Sequence, residues 1–273
     1  MNNITVIKPT HGWRSIDLKE LWKYRELLWI FVARDIKVRY KQTVLGASWA
    51  VLQPFMTMVV FSIFFGRLAK MPSEGIPYPV FSFAALVPWT FFANGLAQCS
   101  NSLVVREDLV KKVYFPRLIL PISSVLGGIV DFAIAFMVLI GIMLFYGIFP
   151  TVNIVWLPFF IFLSLITALG SGMWLTTMNI QFRDIRYALP FLVQFWMFAT
   201  PIVYPAGLLS AKWKMIYALN PMVGVIEGFR WALLGTDTRP EKMIIISTLV
   251  SVTILITGAF YFKRAEKGFA DIL

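Results

Sequence analysis

Charged residues and metal-binding side chains are scarce in this chain of 273 residues. Asp, Glu, Lys and Arg make up only 14% of it, whereas apolar residues make up 59% and the mean hydropathy is +0.75. Soluble domains contain about 25% charged residues, so this composition excludes ordinary packing in water. The single cysteine, Cys99, allows no internal disulfide and, like the lone His11, has no metal-ligand spacing. Cys99 is therefore interpreted as a small buried residue.

Sequence motifs of the common enzyme classes are missing as well. The chain has no G-x-x-x-x-G-K-[ST] phosphate loop, no zinc-protease signature and no G-x-S-x-G elbow. It is therefore not expected to be an enzyme or to hold a cofactor, and any energy from ATP must come from a partner. Proton-coupled transporters usually need several ionisable groups inside the membrane, whereas here Asp131 is the one charge deep in an apolar run.

Long apolar runs dominate what is present. Six of them predict an all-α integral membrane protein with six transmembrane helices, because a span needs about 20 apolar residues. One domain is expected over residues 1–273, with an interfacial segment at 1–43, the spans within 44–262 and a tail at 263–273. The predicted spans are residues 44–66, 80–103, 118–149, 155–180, 187–204 and 243–262.

The basic residues indicate how these spans are oriented. With both termini in the cytoplasm, 18 Lys and Arg residues lie inside and 7 lie outside, as the positive-inside rule requires. The net charge of +11 is thus a sign of topology and not of nucleic-acid binding. The N-terminal stretch is charged and lacks the apolar core of a cleavable signal peptide.

An amphipathic helix is predicted before the first span. Ser15 can cap it, and basic residues lie beside Trp22 and Trp29, which is typical of helices in the headgroup layer of an anionic leaflet. A soluble helix packed on a partner is the alternative, and the two can hold together.

A polar stretch at residues 104–121 separates the second and third spans. Its apolar residues at intervals of four are Val105, Leu109 and Val113. This spacing predicts a short cytoplasmic helix over residues 106–115 with one apolar edge, ended by Pro116. A simple connection would need only two or three residues, so the stretch is interpreted as a docking element.

Two apolar pieces between the fifth and sixth spans are too short to cross a bilayer. Residues 207–219 and 221–234 predict half-helices that re-enter or lie on the outer leaflet, divided by Asn220 as a cap and Pro221 in a first turn. Glu227 and Arg230 are three residues apart and can pair on one helical face.

Several blocks of sequence, in this order, resemble the permease subunit of type-2 ABC exporters. Within that family the chain is most similar to permeases for lipid-linked polysaccharide, with O-antigen as the preferred cargo and teichoic acid or capsule as alternatives. The blocks are ARDIKVRYKQTVLGASWAVLQP at 33–54, VYFPRLILP at 113–121, NIQFRDIRYALPFLVQFWMFATPIVYP at 179–205, NPMVGVIEGFRW at 220–231 and RAEKGFADIL at 264–273.

The resemblance implies a homodimer in the bacterial inner membrane, bound to two copies of a nucleotide-binding subunit that holds ATP and Mg²⁺. The helix after the second span would be the coupling helix that contacts this ATPase. Its expected contact residues are Arg106, Glu107, Asp108, Leu109, Lys111, Lys112 and Tyr114. The half-helices would form an outer gate, with Tyr204, Pro205, Asn220, Pro221, Glu227 and Arg230 as its residues.

A hydrated glycan needs a lined path across the membrane, and aromatic rings offer weak stacking contacts to sugars. Phe191, Phe195 and Phe198 recur on one helical face. Together with Tyr40, Trp49 and Gln53 they are the predicted lining, while Asp131 has a functional or a structural role. A permease for a small drug, and a membrane transferase acting on a lipid-linked sugar, remain the alternatives. The transferase would need convergent acids, whereas Asp131 and Glu227 are predicted at different depths.

Overall fold

The structure is a computed structural model of the full chain and describes residues 18–41, 48–182, 184–236 and 240–272. All regular elements in these ranges are helical, which confirms the predicted all-α class. The helices are α1 (Leu18–Lys23), α2 (Arg25–Lys41), α3 (Ser48–Phe61), α4 (Tyr78–Asn101), α5 (Glu107–Lys112), α6 (Ile119–Phe145), α7 (Leu157–Gln181), α8 (Ile185–Phe198), α9 (Ala211–Tyr217), α10 (Pro221–Leu234), α11 (Glu241–Ala265) and α12 (Phe269–Ile272).

Five helical segments among the described residues are long and apolar enough to cross a membrane. They are Ser48–Leu68, Tyr78–Asn101, Ile119–Phe145, Val152–Gln181 and Glu241–Gly268, and they correspond to five of the six predicted spans. The start of the first predicted span and Ser15 lie outside the described residues. The third span is shorter than predicted, because Gly147 adopts a positive φ of 70° just after α6 ends.

The predicted fifth span, residues 187–204, is only partly helical. Its helix α8 has 14 residues and rises about 21 Å, whereas the hydrocarbon core is about 30 Å thick. The last six residues of the prediction form turns around Pro201, so a continuous helix to Tyr204 is wrong.

Helix α4 is the most buried of the five long apolar helices and packs against α3, α6, α7, α8 and α10. Its side chains Phe81, Phe83 and Phe92 are fully buried. Small residues also allow α7 to approach α11 closely. A Cβ atom at Gly170 would lie 2.7 Å from the Cα atom of Leu255, so α7 and α11 pack backbone to backbone there.

The second predicted half-helix is observed as α10, which is packed inside the bundle. Twelve of its fourteen residues in α10 are buried against α4, α7 and α11. The charges of Glu227 and Arg230 in this helix are satisfied within the chain. The first half-helix is observed as the shorter α9.

Candidate functional site

The short helix α5 carries its charges in order of sign. Glu107 and Asp108 begin it and Lys111 and Lys112 end it, which is the favourable arrangement for the helix dipole. Lys111 pairs with Glu107, and the Lys112 Nζ atom lies 3.5 Å from Asp108 Oδ1. Exposed pairs of this kind contribute little to folding, so these charges are not needed to hold α5 in place. They form a compact charged surface that a partner could contact.

Val110 is the buried side chain of α5, and the half-buried Leu109 packs beside it. Val110 is 3% exposed and lies in an apolar cluster. The cluster also contains Phe31 of α2, Phe262 of α11, and Phe115, which follows α5. We call this the basal cluster. It joins α5 to three separate parts of the chain.

The predicted apolar edge of this helix is wrong. Val105 and Val113 are 78% and 51% exposed, and Leu109 is half-buried. The reason is local, because Val104–Arg106 form a 3-10 turn and the backbone is already extended at Val113. The α-helix is therefore shorter than the predicted residues 106–115, and its inward direction falls on Val110.

Arg106, at the start of α5, connects the helix to α2. Its guanidinium donates a hydrogen bond to the Asp35 carboxylate and lies over the Phe31 ring, with 5.5 Å from Cζ to the centroid. Phe31 in turn meets Phe115 edge to face, with their centroids 6.0 Å apart. Since Arg106 precedes α5 and Phe115 follows it, α2 holds both ends of this connection.

Arg106 is thus directed into the chain, and Glu107 and Leu109 are half-buried. The exposed members of the predicted contact set are Asp108, Lys111, Lys112 and Tyr114. Partial desolvation raises the pKa of the Tyr114 phenol, and the negative charge of Glu20 acts in the same direction. Tyr114 therefore stays a neutral hydrogen-bond donor at physiological pH.

The C-terminal residues hold the segment between α5 and α6 through contacts that the sequence did not predict. We call these contacts the clamp. The backbone N–H of Arg117 donates to Glu266 Oε1 at 3.1 Å, and the Arg117 guanidinium donates to the Glu266 carbonyl. Lys263 Nζ lies 2.6 Å from Glu266 Oε2. Phe269 is 1% exposed and packs on Phe262 with centroids 5.1 Å apart. The spacing of seven residues between these two phenylalanines was the available signal.

Asp131 takes part in a polar network inside the bundle. The Arg39 guanidinium and the Tyr40 hydroxyl both donate to its carboxylate, and Arg39 also donates to the Gln98 side chain. The network joins α2, α4 and α6. Because the charge is balanced by Arg39, the desolvation cost that an isolated acid would incur is reduced.

Two further predicted lining residues lie next to this network. A small cleft between α3, α4 and α6 is lined by Trp49, Gln53 and Asp131, with Thr90 and Asn94 on its α4 wall. Trp49 and Gln53 are otherwise exposed. The structure thus brings Tyr40, Trp49, Gln53 and Asp131 together.

The three predicted phenylalanines of α8 lie apart from that cleft. Phe191, Phe195 and Phe198 are 73%, 66% and 52% exposed, so their rings are not used for packing within this chain. An exposed aromatic row on a membrane helix is a surface for a second subunit, a lipid or a ligand.

Arg230, predicted as a gate residue, is fully buried. Its guanidinium donates to the carbonyls of Phe81, Pro201 and Ile202 at 3.2, 2.6 and 2.7 Å, and its Cζ lies 3.5 Å from the Phe81 ring centroid. The predicted pairing with Glu227 is present at 3.3 Å. Arg230 therefore fixes α10 to α4 and to the turn that ends α8.

Asn220 organises the same end of the bundle. It caps α10 as predicted, with Met222 N–H donating to Asn220 Oδ1 at 3.1 Å. The same oxygen accepts from Trp196 Nε1 at 2.9 Å, and Asn220 Nδ2 donates to the Ala199 carbonyl at 2.9 Å. The next residue, Pro221, begins α10. Close by, the hydroxyls of Tyr204 and Tyr217 are 2.7 Å apart, while Pro205 N-caps the 3-10 turn Ala206–Leu208.

Comparison with known proteins gives a family for this arrangement. The model of the family described as "ABC-2 type transporter" matches residues 26–234. An O-antigen export system permease protein RfbA of Myxococcus xanthus is 30% identical over 93% of this chain and 98% of its own length. A protein of the same name from Klebsiella pneumoniae is 27% identical over 91% of this chain and 95% of its own. The polysialic acid transport protein KpsM of Escherichia coli is 24% identical over 85% and 91%.

Proposed function

The chain belongs to the ABC-2 type transporter family, and from this premise we propose that it is the permease of an ATP-driven exporter of lipid-linked polysaccharide. O-antigen is the proposed cargo. The observation that carries this choice is the match to an O-antigen export permease over 98% of that protein's length. Capsular polysaccharide is the second candidate, because a polysialic acid transport protein matches over most of the chain at lower identity.

The proposed topology has six crossings and both termini in the cytoplasm, within a bacterial inner membrane. Five crossings are the long apolar helices, and the sixth is α8 completed by the turns that follow it. Contact between Tyr78 Oη and the Val203 carbonyl, at 2.8 Å, supports this, because it puts the end of α8 level with the start of α4. The distribution of Lys and Arg supports the orientation.

We further propose that α5 and its surroundings receive the motion of a separate ATPase. Two copies of this nucleotide-binding subunit would hold ATP and Mg²⁺ and contact Asp108, Lys111, Lys112 and Tyr114. Support comes from the way α5 is held, since Arg106, Phe115 and Arg117 tie it to α2 and to the C-terminal residues. A push on such a rigid element moves several helices together.

The glycan path is proposed to form between two copies of the chain. The exposed row Phe191, Phe195 and Phe198 and the exposed residues Trp49 and Gln53 belong to helices that flank α4 on the surface of a single chain. A second copy would close this surface into a conduit in which sugars slide over aromatic faces. Tyr40 and Asp131 would contribute the polar part of its wall.

A membrane transferase is less well supported by the geometry. Its reaction would need acids that converge on one substrate, but Asp131 pairs with Arg39, and Glu227 pairs with Arg230 at the far end of the bundle. No group of three or more His, Cys, Asp and Glu residues suited to a metal ion occurs in the described part of the chain.

Deletion of the gene, followed by locating the polymer on either side of the inner membrane, tests the proposed function. We expect completed polymer to accumulate on the cytoplasmic side and to reach the outside again when the gene is restored. Absence of the polymer from both sides would indicate a role in synthesis, and unchanged surface polymer would contradict the proposal.

A further inference from the structure

Helix α8 has two opposite faces with different neighbours. At 100° per residue, the exposed phenylalanines of α8 share one face, and the other face points towards α4, α7 and α9. The residues of this second face are Leu189, Leu192, Val193 and Trp196. Phe195 lies at the border between the proposed sugar path and this second surface, because it also lines the groove described next.

That second surface is the wall of an apolar groove of about 780 Å³. The α7 wall consists of Ser171, Trp174 and Leu175, and α9 contributes Trp213 and Ile216. Leu192, Trp213 and Ile216 are 44%, 60% and 49% exposed, so the groove is open along one side. Its volume lies within the range of about 300–1,000 Å³ found for sites of small ligands.

The length of the groove fits one leaflet of a bilayer. It follows α8 from Leu189 to Ala199, ten residues that rise about 15 Å. Half of a hydrocarbon core of about 30 Å is the same distance. Water is disfavoured in a groove with this lining, because it would find few hydrogen-bond partners there.

One end of the groove is polar and basic. The paired hydroxyls of Tyr204 and Tyr217 lie there, and α9 presents Trp213 to the groove between Lys212 and Lys214. At 100° per residue these two lysines flank the apolar side of α9 on its left and right. A molecule that fits both parts has a long hydrocarbon chain and an anionic head.

We propose that this groove binds one acyl chain of an anionic phospholipid, with the phosphate held at Lys212 and Lys214. The site adjoins the proposed glycan path, because Phe195 also lines the groove, but it does not depend on which polysaccharide is exported. The bound lipid fills the space between α7 and α8, and thereby holds α8 in position.

Photolabelling of the full-length chain in nanodiscs tests the proposal. The discs contain phosphatidylcholine with a small fraction of phosphatidylglycerol that carries a diazirine in the middle of one chain. We expect labelled peptides from α7, α8 and α9. Val193→Trp fills the groove and should remove these labels, whereas Val252→Trp, the same change at an exposed position of α11, should keep them.

The charge is tested by conservative variants of the two lysines, of which Lys212 is exposed and Lys214 is half-buried. Lys212→Gln and Lys214→Gln should each lower groove labelling by phosphatidylglycerol about fivefold, and a phosphatidylcholine probe should respond to neither. Equal groove labelling by the two probes in the unaltered chain would overturn the anionic preference. A groove that stays unlabelled while Trp213→Cys forms disulfides between two copies would show that a second copy covers it, which would overturn the proposal.

Discussion

Asp131 illustrates how a single charge is accommodated in a helix of the membrane. It lies twelve residues into α6, or about 18 Å along the helix. Its partners Arg39 and Tyr40 come from α2, which precedes the first span. The N-terminal helix therefore does more than lie on a membrane surface, because its last turn reaches into the bundle.

Substitution of Asp131 by Asn should destabilise the protein strongly. It removes the charge that balances Arg39 in a mostly buried pair, and we expect a loss of about 3 kcal/mol in the free energy of unfolding. Adding Arg39→Gln should recover part of this loss, whereas Tyr40→Phe alone should cost about 1 kcal/mol. Thermal unfolding in detergent measures all three. A double variant less stable than Asp131→Asn alone would contradict the pairing.

At the scale of elements, α5 exposes charged side chains on one side and is tied on the other to α2 and the C-terminal residues. Its outward charges also form pairs within the helix, so reversing a charge alters both the surface and the helix. A variant that exchanges the two members of a pair separates these effects.

The charge reversal Lys111→Glu with Lys112→Glu should uncouple ATP hydrolysis from export in the complex. In the matched variant, Glu107→Lys and Asp108→Lys are added, which restores both pairs with opposite sign. If the ATPase recognises the charges, export stays low in both variants, and hydrolysis continues without it. Full recovery of export in the matched variant would mean that only helix stability matters.

The clamp at Glu266 is expected to keep α5 and α11 moving together. Glu266→Ala removes the acceptor of the Arg117 N–H and the partner of Lys263, so export per ATP hydrolysed should fall. Glu266→Gln keeps the acceptor for the Arg117 N–H but loses the charge. Export per ATP hydrolysed should therefore fall less in this variant. The ratio of polymer exported to ATP consumed is the measurement. Equal ratios in both variants and the unaltered protein would remove the clamp from the mechanism.

Individual elements also show what sequence patterns can predict. The spans were predictable because uninterrupted apolar runs set their ends: residues 80–103 were predicted and Tyr78–Asn101 is observed. The capping role of Asn220 followed from its position before a proline. By contrast, Arg39 and Asp131 are 92 residues apart, and no local pattern reports such a pairing. The burial of α10 was missed because Arg230 is satisfied by carbonyls of a turn whose position depends on the whole fold.

At the scale of the whole molecule, changing the aromatic row of α8 distinguishes a lined conduit from a helix that merely faces lipid. Phe195→Ala with Phe198→Ala should lower export while the complex still assembles, because neither ring packs in the core of this chain. The control is Phe145→Ala with Phe149→Ala, because these rings are also exposed but lie at the end of α6 and just after it. Surface polymer is quantified alongside copurification of the ATPase. Unchanged export in the α8 variant would exclude these rings from the path.

Reconstitution into proteoliposomes tests most directly the claim that this chain is a conduit driven by another protein's nucleotide cycle. Translocation of lipid-linked polysaccharide and hydrolysis of ATP are measured with the chain alone, and again after adding its ATPase. We predict neither activity for the chain alone, and both once the ATPase is present. Transport or ATP hydrolysis by the chain without a partner would contradict the account.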